Sequence, residues 1–237
     1  MKLLNSILSA AAAAVMACTV FTGCADKNSP AHSIEDPLPT DSVNTGTITL
    51  AEQESPEAVS ETAEEIGSFV VTLYPEYAPV SCENFETLVK EGFYDGLYFH
   101  RVVDDFMAQG GDPSLAGREG AQKITGEFSD NGWTQNTLPH KRGTVSMARG
   151  NDMNSASSQF FIVYSDKYQT ALDGRYAAFG EVTEGMEVVD KFLTVERVEN
   201  TKGEVAIPTV PITIKKAEMI EDDAEGHHRA RFDMTIG

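Results

Sequence analysis

Residues 99–112, FHRVVDDFMAQGGD, form the most informative stretch of this chain. They place one permanent cation, Arg101, beside large apolar side chains, an amide and a pair of glycines. Because an arginine side chain stays protonated in a protein, Arg101 cannot act as an acid or a base. A cation next to apolar residues suits a substrate that is apolar on one side and carries a polarisable amide on the other. Proline within a peptide has that character.

The length and charge of the chain limit its domain organisation and its possible partners. The 237 residues, of which 41% are hydrophobic, allow one globular domain with extensions. A formal net charge of −19 argues against nucleic acid as a partner, because phosphate binding needs clustered Lys and Arg. Residues 25–66 hold ten acidic residues, four of the ten prolines and one basic residue, Lys27. Such a composition predicts a disordered, self-repelling linker over 24–66.

The N-terminus is predicted to be a targeting segment. Lys2 precedes an uncharged run from Ile7 to Phe21, which is shorter than the about 20 apolar residues of a membrane-spanning helix and is typical of a signal peptide. FTGC (21–24) resembles a bacterial lipobox, in which the cysteine becomes lipidated. We therefore expect residues 1–23 to be removed and the protein to be extracytoplasmic, anchored to the bacterial membrane by lipid on Cys24. The alternative is an ordinary secretory signal with an incidental cysteine, which gives a secreted protein.

The remaining pattern predicts a mainly β domain over 67–219, followed by a polar tail over 220–237. Many short strands with two helices favour a closed antiparallel barrel with capping helices. Thr47–Leu50 is compatible with a first strand. Strands are predicted at 68–74, 97–103, 106–109, 143–148, 158–164, 176–182 and 211–218, and helices at 79–91 and 185–192.

Alternation along the strands sorts the side chains by face. Met107 and Gln109 share one face of their strand, and Gln159, Phe161 and Val163 share one face of theirs. Phe106, Met107, Phe161 and Leu172 would together form a small apolar pocket, with Arg101 and Gln109 at its polar rim. The alternative is that these aromatic residues are ordinary barrel core and Arg101 an ordinary surface cation.

Cysteine and histidine are the other reactive residue types considered, and neither is predicted to be catalytic at Cys82, His227 or His228. Cys82 lies in step with Phe85, Leu88 and Val89 on one helical face, and it has no histidine placed as a catalytic partner, so we expect a small buried hydrophobic residue. With Cys24 lipidated, no disulfide framework is expected. His227 and His228 could bind a metal, but two adjacent histidines without a further ligand are usually only exposed, and no metal site is predicted.

Three ordered motifs resemble one family. The run at 99–112, together with SMARGNDMNSASSQFFI (146–162) and ALDGRYAAFGEV (171–182), resembles the cyclophilin-type peptidyl-prolyl isomerases, and residues 73–101 fit the opening strand and helix of that family. The resemblance covers about residues 67–219. It implies an eight-stranded antiparallel barrel capped by two α-helices, with no metal or organic cofactor, and we expect a monomer.

The resemblance also implies roles for individual residues. Arg101 matches the catalytic arginine and Gln109 the glutamine that orients it. The other matches are all predicted to contact the substrate: Phe106, Met107, Phe161 and Leu172 in the proline pocket, the amide of Gln159, the backbone of Arg149 and Gly150, and His100 and Tyr176 at the pocket edge.

Some positions depart from the family pattern. Ala171 stands where many members have a pocket-rim tryptophan, which predicts weak cyclosporin binding. Tyr176 replaces a histidine. Asp104-Asp105 stands where Pro-Gly is common. Aspartate tolerates left-handed backbone geometry, so the turn can form. Its two carboxylates near Arg101 would either disfavour acidic peptides or compete for the guanidinium.

The expected activity is peptidyl-prolyl cis-trans isomerisation of X-Pro bonds in unfolded or exported proteins, which accelerates their folding. The membrane is expected to be contacted only through the N-terminal lipid. The alternative function is a proline-binding module or chaperone on the same fold, with incidental isomerase activity.

Overall fold

A computed structural model describes residues 63–237. The signal segment, the predicted strand at 47–50 and the predicted linker as far as residue 62 lie outside the described residues. The last residues of that predicted linker, 64–66, belong to the first strand. The described strands are β1 Glu64–Leu73, β2 Phe99–Val103, β3 Met107–Gly110, β4 Thr144–Met147, β5 Phe160–Val163, β6 Ala178–Glu184, β7 Arg197–Glu199, β8 Val205–Pro208, β9 Ile212–Ile220 and β10 Arg229–Ile236. Within the same residues, the α-helices are α1 Pro79–Lys90, α2 Gln169–Leu172 and α3 Met186–Asp190.

Eight strands form one antiparallel sheet in the order β2-β3-β5-β4-β6-β1-β10-β9. The two edge strands then approach each other. Tyr98 and Thr213 form a bridge, and the Ile214 N–H donates to the Leu97 carbonyl at 2.8 Å. The predicted eight-stranded antiparallel barrel is therefore confirmed, and it is nearly closed.

The barrel interior is filled by aromatic side chains. Phe69 and Phe232 stack with ring centroids 5.1 Å apart, and Phe85 of α1 packs edge-to-face on Phe160 at 5.3 Å. Helix α1 therefore covers one end of the barrel with its apolar face, as predicted. Cys82 lies on that face and is buried, and its thiol donates to the Phe179 carbonyl at 3.2 Å. Burial raises the pKa of this thiol to about 12, in agreement with a structural role.

The C-terminal residues differ from the expectation. The prediction of a polar tail over 220–237 is wrong for β10, which pairs with both β1 and β9 inside the barrel. Ala230, Phe232 and Met234 point inward and are buried. These residues alternate with the charged Arg229, Arg231 and Asp233, which is the period of two that marks a half-buried strand. The local pattern therefore indicated this strand, and the prediction of a polar tail overlooked it.

Smaller corrections concern element boundaries. Strand β1 begins at Glu64, three residues before the predicted domain boundary at 67. The second predicted helix, 185–192, is shorter, because α3 passes into a 3-10 turn at Lys191–Thr194. The pair β7–β8, which forms a separate two-stranded sheet, was not predicted. Within residues 63–237, no helix has both the length and the apolar character that crossing a bilayer requires.

Candidate active site

Arg101 lies on β2 directly opposite Gln109 of β3. Directly opposed residues on antiparallel strands project from the same face, so the two side chains meet. The Arg101 Nη1 donates to Gln109 Oε1 at 3.3 Å, and the Arg101 Cζ lies 5.8 Å from the centroid of the Phe106 ring. The Arg101 side chain is only 13% exposed. The structure thus brings together the predicted cation, the predicted amide and one wall of the predicted pocket.

A second amide extends this contact. Gln109 Nε2 donates to Gln159 Oε1 at 2.8 Å, and Gln159 Nε2 donates to Asp112 Oδ2 at 2.9 Å. Each amide accepts at its oxygen and donates from its nitrogen, so the Asp112 carboxylate at one end and the Arg101 guanidinium at the other fix both orientations. Asp112 was not among the predicted site residues. Its carboxylate was visible at the end of the 99–112 stretch, but its partner lies 47 residues away.

The glycine pair after Gln109 has a steric basis. Gly111 has a φ of +82°, and a Cβ there would lie 2.8 Å from the Ser158 carbonyl oxygen. Only glycine adopts this conformation without strain. The chain can therefore turn immediately after β3 and remain in contact with the segment that carries Gln159.

The predicted pocket residues form one apolar cluster. Phe106, Met107, Phe161, Leu172 and Tyr176 pack together with Ala148 and Val163, and all seven are buried. The first four are exposed by 4% or less, so they lie behind the guanidinium rather than along the open groove. Tyr176 was expected at the pocket edge, but its ring lies inside the cluster, edge-on to Phe161 at 5.8 Å.

Tyr168 was not predicted to belong to the site. Its ring lies 4.6 Å from the ring of Phe106 and it is only partly buried. It therefore supplies an aromatic side chain on the outer side of Phe106. The available signal was its position four residues before Leu172, a residue already assigned to the pocket.

A hydrogen-bonded group of the buried His140 and Ser146 with the partly exposed Asp173 packs behind the cluster. His140 Nδ1 lies 2.8 Å from Asp173 Oδ1, and His140 Nε2 lies 2.9 Å from Ser146 Oγ. The imidazole stacks on the Phe161 ring at 6.0 Å and 14°. These are the residue types of a hydrolase triad, but Ser146 is fully buried, so the group orients Phe161 instead of reaching a substrate. Burial acts to raise the pKa of Asp173, but the hydrogen bonds from His140 and Gln169 outweigh it and lower this pKa.

Arg149 contributes its side chain as well as its backbone. Its guanidinium carbon lies 4.7 Å from the Tyr176 ring centroid and 5.1 Å from that of Phe128. The Gly150 N–H, one of the predicted peptide contacts, donates to Ser155 Oγ at 2.8 Å, and the Gly150 carbonyl accepts from Arg149 Nη1 at 2.8 Å. Since a carbonyl oxygen has two lone pairs, the Gly150 carbonyl keeps capacity for a substrate N–H.

Asp104 and Asp105 were expected near the Arg101 guanidinium, but the structure places a different carboxylate there. Asp105 occupies the left-handed region at φ +58°, as the turn requires. Asp104 instead pairs with Arg197, whose Nη1 lies 2.9 Å from Oδ1. The carboxylate on the Arg101 guanidinium belongs to Glu204, a residue that the sequence patterns did not indicate.

An open groove of about 830 Å³ runs past the guanidinium. Its size is within the range of small-ligand sites. Of the predicted residues, His100, Arg101, Gln109, Arg149, Gly150 and Gln159 line it. The rest of its wall is mostly apolar and is formed by residues that include Leu115, Ile207, Pro208 and Val210. The groove therefore offers polar groups near Arg101 and apolar surface along its flank.

His227 does have acidic neighbours, contrary to the expectation from sequence. Its Nδ1 lies 2.9 Å from Asp223 Oδ2, and the ligand atoms of Asp223, Glu225 and His227 lie within 4.8 Å of one another. The backbone N–H groups of Glu225 and His227 both donate to Asp223 Oδ1. The turn between β9 and β10 therefore explains why these groups lie together.

Comparisons with known proteins agree with this geometry. The family model described as cyclophilin type peptidyl-prolyl cis-trans isomerase/CLD matches residues 58–219. The chain is 39% identical over 153 residues to peptidyl-prolyl cis-trans isomerase ppi1 of Schizosaccharomyces pombe, covering 64% of this chain and 92% of the relative. It is 41% identical over 158 residues to peptidyl-prolyl cis-trans isomerase A of Dickeya dadantii, covering 65% and 80%.

A solved structure shows the same fold. It is a cyclophilin type peptidyl-prolyl cis-trans isomerase of Cryptosporidium parvum in the presence of the dipeptide Ala-Pro. The TM-score is 0.51 at 27% sequence identity, and the match covers 63% of this chain and 96% of that chain.

Proposed function

This chain belongs to the cyclophilin-type peptidyl-prolyl cis-trans isomerase family, and from that premise we propose that it isomerises X-Pro bonds of exported proteins and so accelerates their folding. Such bonds exchange over tens to hundreds of seconds unaided, which is slow enough to limit folding. The proposal assigns Arg101 as the catalytic residue and Gln109 as the residue that orients it.

The chemistry requires no covalent bond to break. Resonance gives the amide C–N bond double-bond character, and rotation meets a barrier of about 18–20 kcal/mol. In the twisted state the prolyl nitrogen becomes pyramidal and regains a lone pair. A cation that donates to this nitrogen stabilises the twisted state more than either planar isomer, and this is how an enzyme lowers the barrier. Lowering it by about 5–7 kcal/mol accelerates exchange roughly 10⁴–10⁵-fold.

The proposal rests on the placement of the Arg101 guanidinium. It lies over the Phe106 ring, with Nη1 on Gln109, at the junction of the apolar cluster and the open groove. A proline ring held against the outer edge of Phe106 would present its nitrogen to the guanidinium. The amide series from Gln109 to Asp112 keeps the donor pre-oriented, so little reorganisation is needed as the bond twists.

A rate measurement on a proline peptide tests the assignment. In a protease-coupled assay we expect the wild-type protein to be active and Arg101→Ala to lose about 10²–10³-fold in kcat/KM, the usual cost of removing one pre-oriented donor. Arg142→Ala is the matched control, because Arg142 pairs with Asp190 at 2.7 Å and does not line the groove. Full activity of Arg101→Ala would refute the mechanism. An inactive wild type that still binds the peptide would favour the proline-binding module.

The N-terminal residues support a proposal for the cellular location of the protein. The uncharged run that ends in FTGC at 21–24 supports lipid attachment at Cys24, which would hold the isomerase at the outer side of a membrane with the acidic linker as a spacer. Cys24→Ala in the natural host should release the protein from the membrane fraction. Membrane retention of that variant would exclude lipidation at Cys24 as the anchor.

A further inference from the structure

A carboxylate contacts the side of Arg101 that faces away from Gln109. Arg101 Nε donates to Glu204 Oε2 at 2.8 Å, and Arg101 Nη2 donates to Glu204 Oε1 at 2.7 Å. This is a two-pronged arginine–carboxylate pair, which restricts direction as well as distance. The Glu204 side chain is 29% exposed and that of Arg101 13%, so the pair is partly shielded from solvent, and Arg101 is the member that lines the groove.

Glu204 is itself held in place. Asn200 Nδ2 donates to Glu204 Oε2 at 2.9 Å, and the Glu204 N–H donates to Asn200 Oδ1 at 3.1 Å. The Asn200 N–H also donates to the Glu204 carbonyl at 2.8 Å. The side chain and backbone of one asparagine therefore fix this carboxylate within the loop between β7 and β8.

The β7–β8 hairpin is fastened to the strand that carries Arg101. Arg197 of β7 donates to Asp104 Oδ1 at 2.9 Å and to the Val102 carbonyl at 3.4 Å. Both acceptors follow Arg101 within three residues. The hairpin therefore has a fixed register relative to the guanidinium, and Glu204 reaches it from a constant position.

From this arrangement we propose that Glu204 is a positioning residue for Arg101, which holds the guanidinium over Phe106 without touching the substrate. The inference rests on the proposed function, since it assigns a role only within that reaction. The negative charge of Glu204 also reduces the positive charge that Arg101 presents to the substrate. The gain in orientation outweighs this loss, because a catalytic donor acts through its preorganisation and a displacement of about 1 Å costs up to 10²-fold in rate.

The test compares two isosteric variants of the full chain on the same proline peptide. Glu204→Gln keeps the shape but cannot accept two charged hydrogen bonds, and we expect kcat to fall about tenfold with KM changed less than twofold. Glu199→Gln makes the same charge change on the same hairpin, at an exposed residue outside the groove lining, and should retain wild-type rates. Equal kcat in Glu204→Gln and wild type, or a higher kcat in Glu204→Gln, would overturn the positioning role.

Two further measurements separate this role from a structural one. Glu204→Gln added to Arg101→Ala should cause no additional loss, because the carboxylate acts through the guanidinium; an additional loss would overturn the inference. The Nε–H signal of Arg101 in a ¹⁵N spectrum should shift and broaden in Glu204→Gln but not in Glu199→Gln, and an unchanged signal in Glu204→Gln would also overturn it. An inactive wild type would refute the proposed function and the positioning role together, whereas an active wild type with an unaffected Glu204→Gln refutes the positioning role alone.

Discussion

Glu127 stabilises the start of helix α1 from a distant loop, and its removal gives a sharp prediction. The helix begins after Ala78, whose side chain cannot accept a hydrogen bond. The N–H groups of Val80 and Ser81 instead donate to the two Glu127 carboxylate oxygens at 2.9 and 2.7 Å, and Ser81 Oγ donates to Oε2 at 2.7 Å. Glu127 is only 1% exposed. We expect Glu127→Ala to destabilise the protein substantially.

The size of the effect follows from the groups left without an acceptor. A buried donor that loses its partner costs about 1–3 kcal/mol. The Ser81 N–H is buried and the Val80 N–H partly buried, so roughly 2–6 kcal/mol is the upper range for the two groups. Water entering the space of the deleted carboxylate recovers part of this, and we expect a net loss of about 3 kcal/mol. For a domain of this size that lowers Tm by roughly 6–12 °C. Ser81→Ala removes only the hydroxyl bond and should cost about 1 kcal/mol.

Equilibrium unfolding in urea measures these differences. The fluorescence of Trp133 is a suitable probe, because its indole N–H donates to the Tyr77 carbonyl at 2.8 Å, next to the start of the helix. The isomerase rate per folded molecule should be unchanged in Glu127→Ala, since Glu127 lies outside the groove lining. A free energy of unfolding within 0.5 kcal/mol of wild type, about the range of a neutral surface substitution, would refute the argument that this carboxylate caps the helix.

Three further outcomes are expected. Tyr168→Ala should raise KM for proline peptides several-fold with little change in kcat, because the ring packs on the outer side of Phe106 at 4.6 Å; steady-state kinetics that show an equal loss in kcat would contradict this. The lowered pKa of Asp173 means that its carboxylate stabilises the fold above its ordinary pKa of about 3.9 and loses this effect as the pH falls below it. Asp173→Asn should therefore show a shallower loss of stability in urea unfolding between about pH 5 and 2, and parallel curves would argue against the link to His140. The raised pKa of Cys82, about 12, predicts that iodoacetamide at pH 8 modifies Cys82 only in denaturant; rapid modification of the native protein, detected by peptide mapping, would be inconsistent with its burial.

Local patterns predicted most of the barrel. The strand containing Val70 and Val71 and the helix that buries Phe85 follow from β-branched composition and helical spacing, which depend on near neighbours in the chain. The contact between Arg101 and Gln109 was also predictable, since both belong to one short hairpin. Strand β10 alternates apolar and charged residues, a local signal of a half-buried strand that the prediction of a polar tail overlooked.

Other features depend on contacts between distant segments. The amide series joins Gln109 to Gln159 across 50 residues. Arg149 lies over Tyr176, which belongs to a different segment of the chain. No period or motif encodes such pairs, because each partner has an ordinary local environment until the barrel brings the segments together.

Periodicity and turn chemistry act over a few residues, and they were enough to predict a mainly β domain with Arg101 beside an apolar cluster. The resemblance of three ordered motifs to one family then indicated the isomerase fold. Neither was enough to identify the carboxylate that contacts that cation. Asp104 is three residues from Arg101 but pairs with Arg197, whereas Glu204 is 103 residues away and makes the two-pronged contact. The physical reason is the direction in which side chains point. Successive residues of a strand face opposite sides, and a two-pronged hydrogen bond requires a carboxylate that lies in the plane of the guanidinium. The folded hairpin of β7 and β8 presents one there.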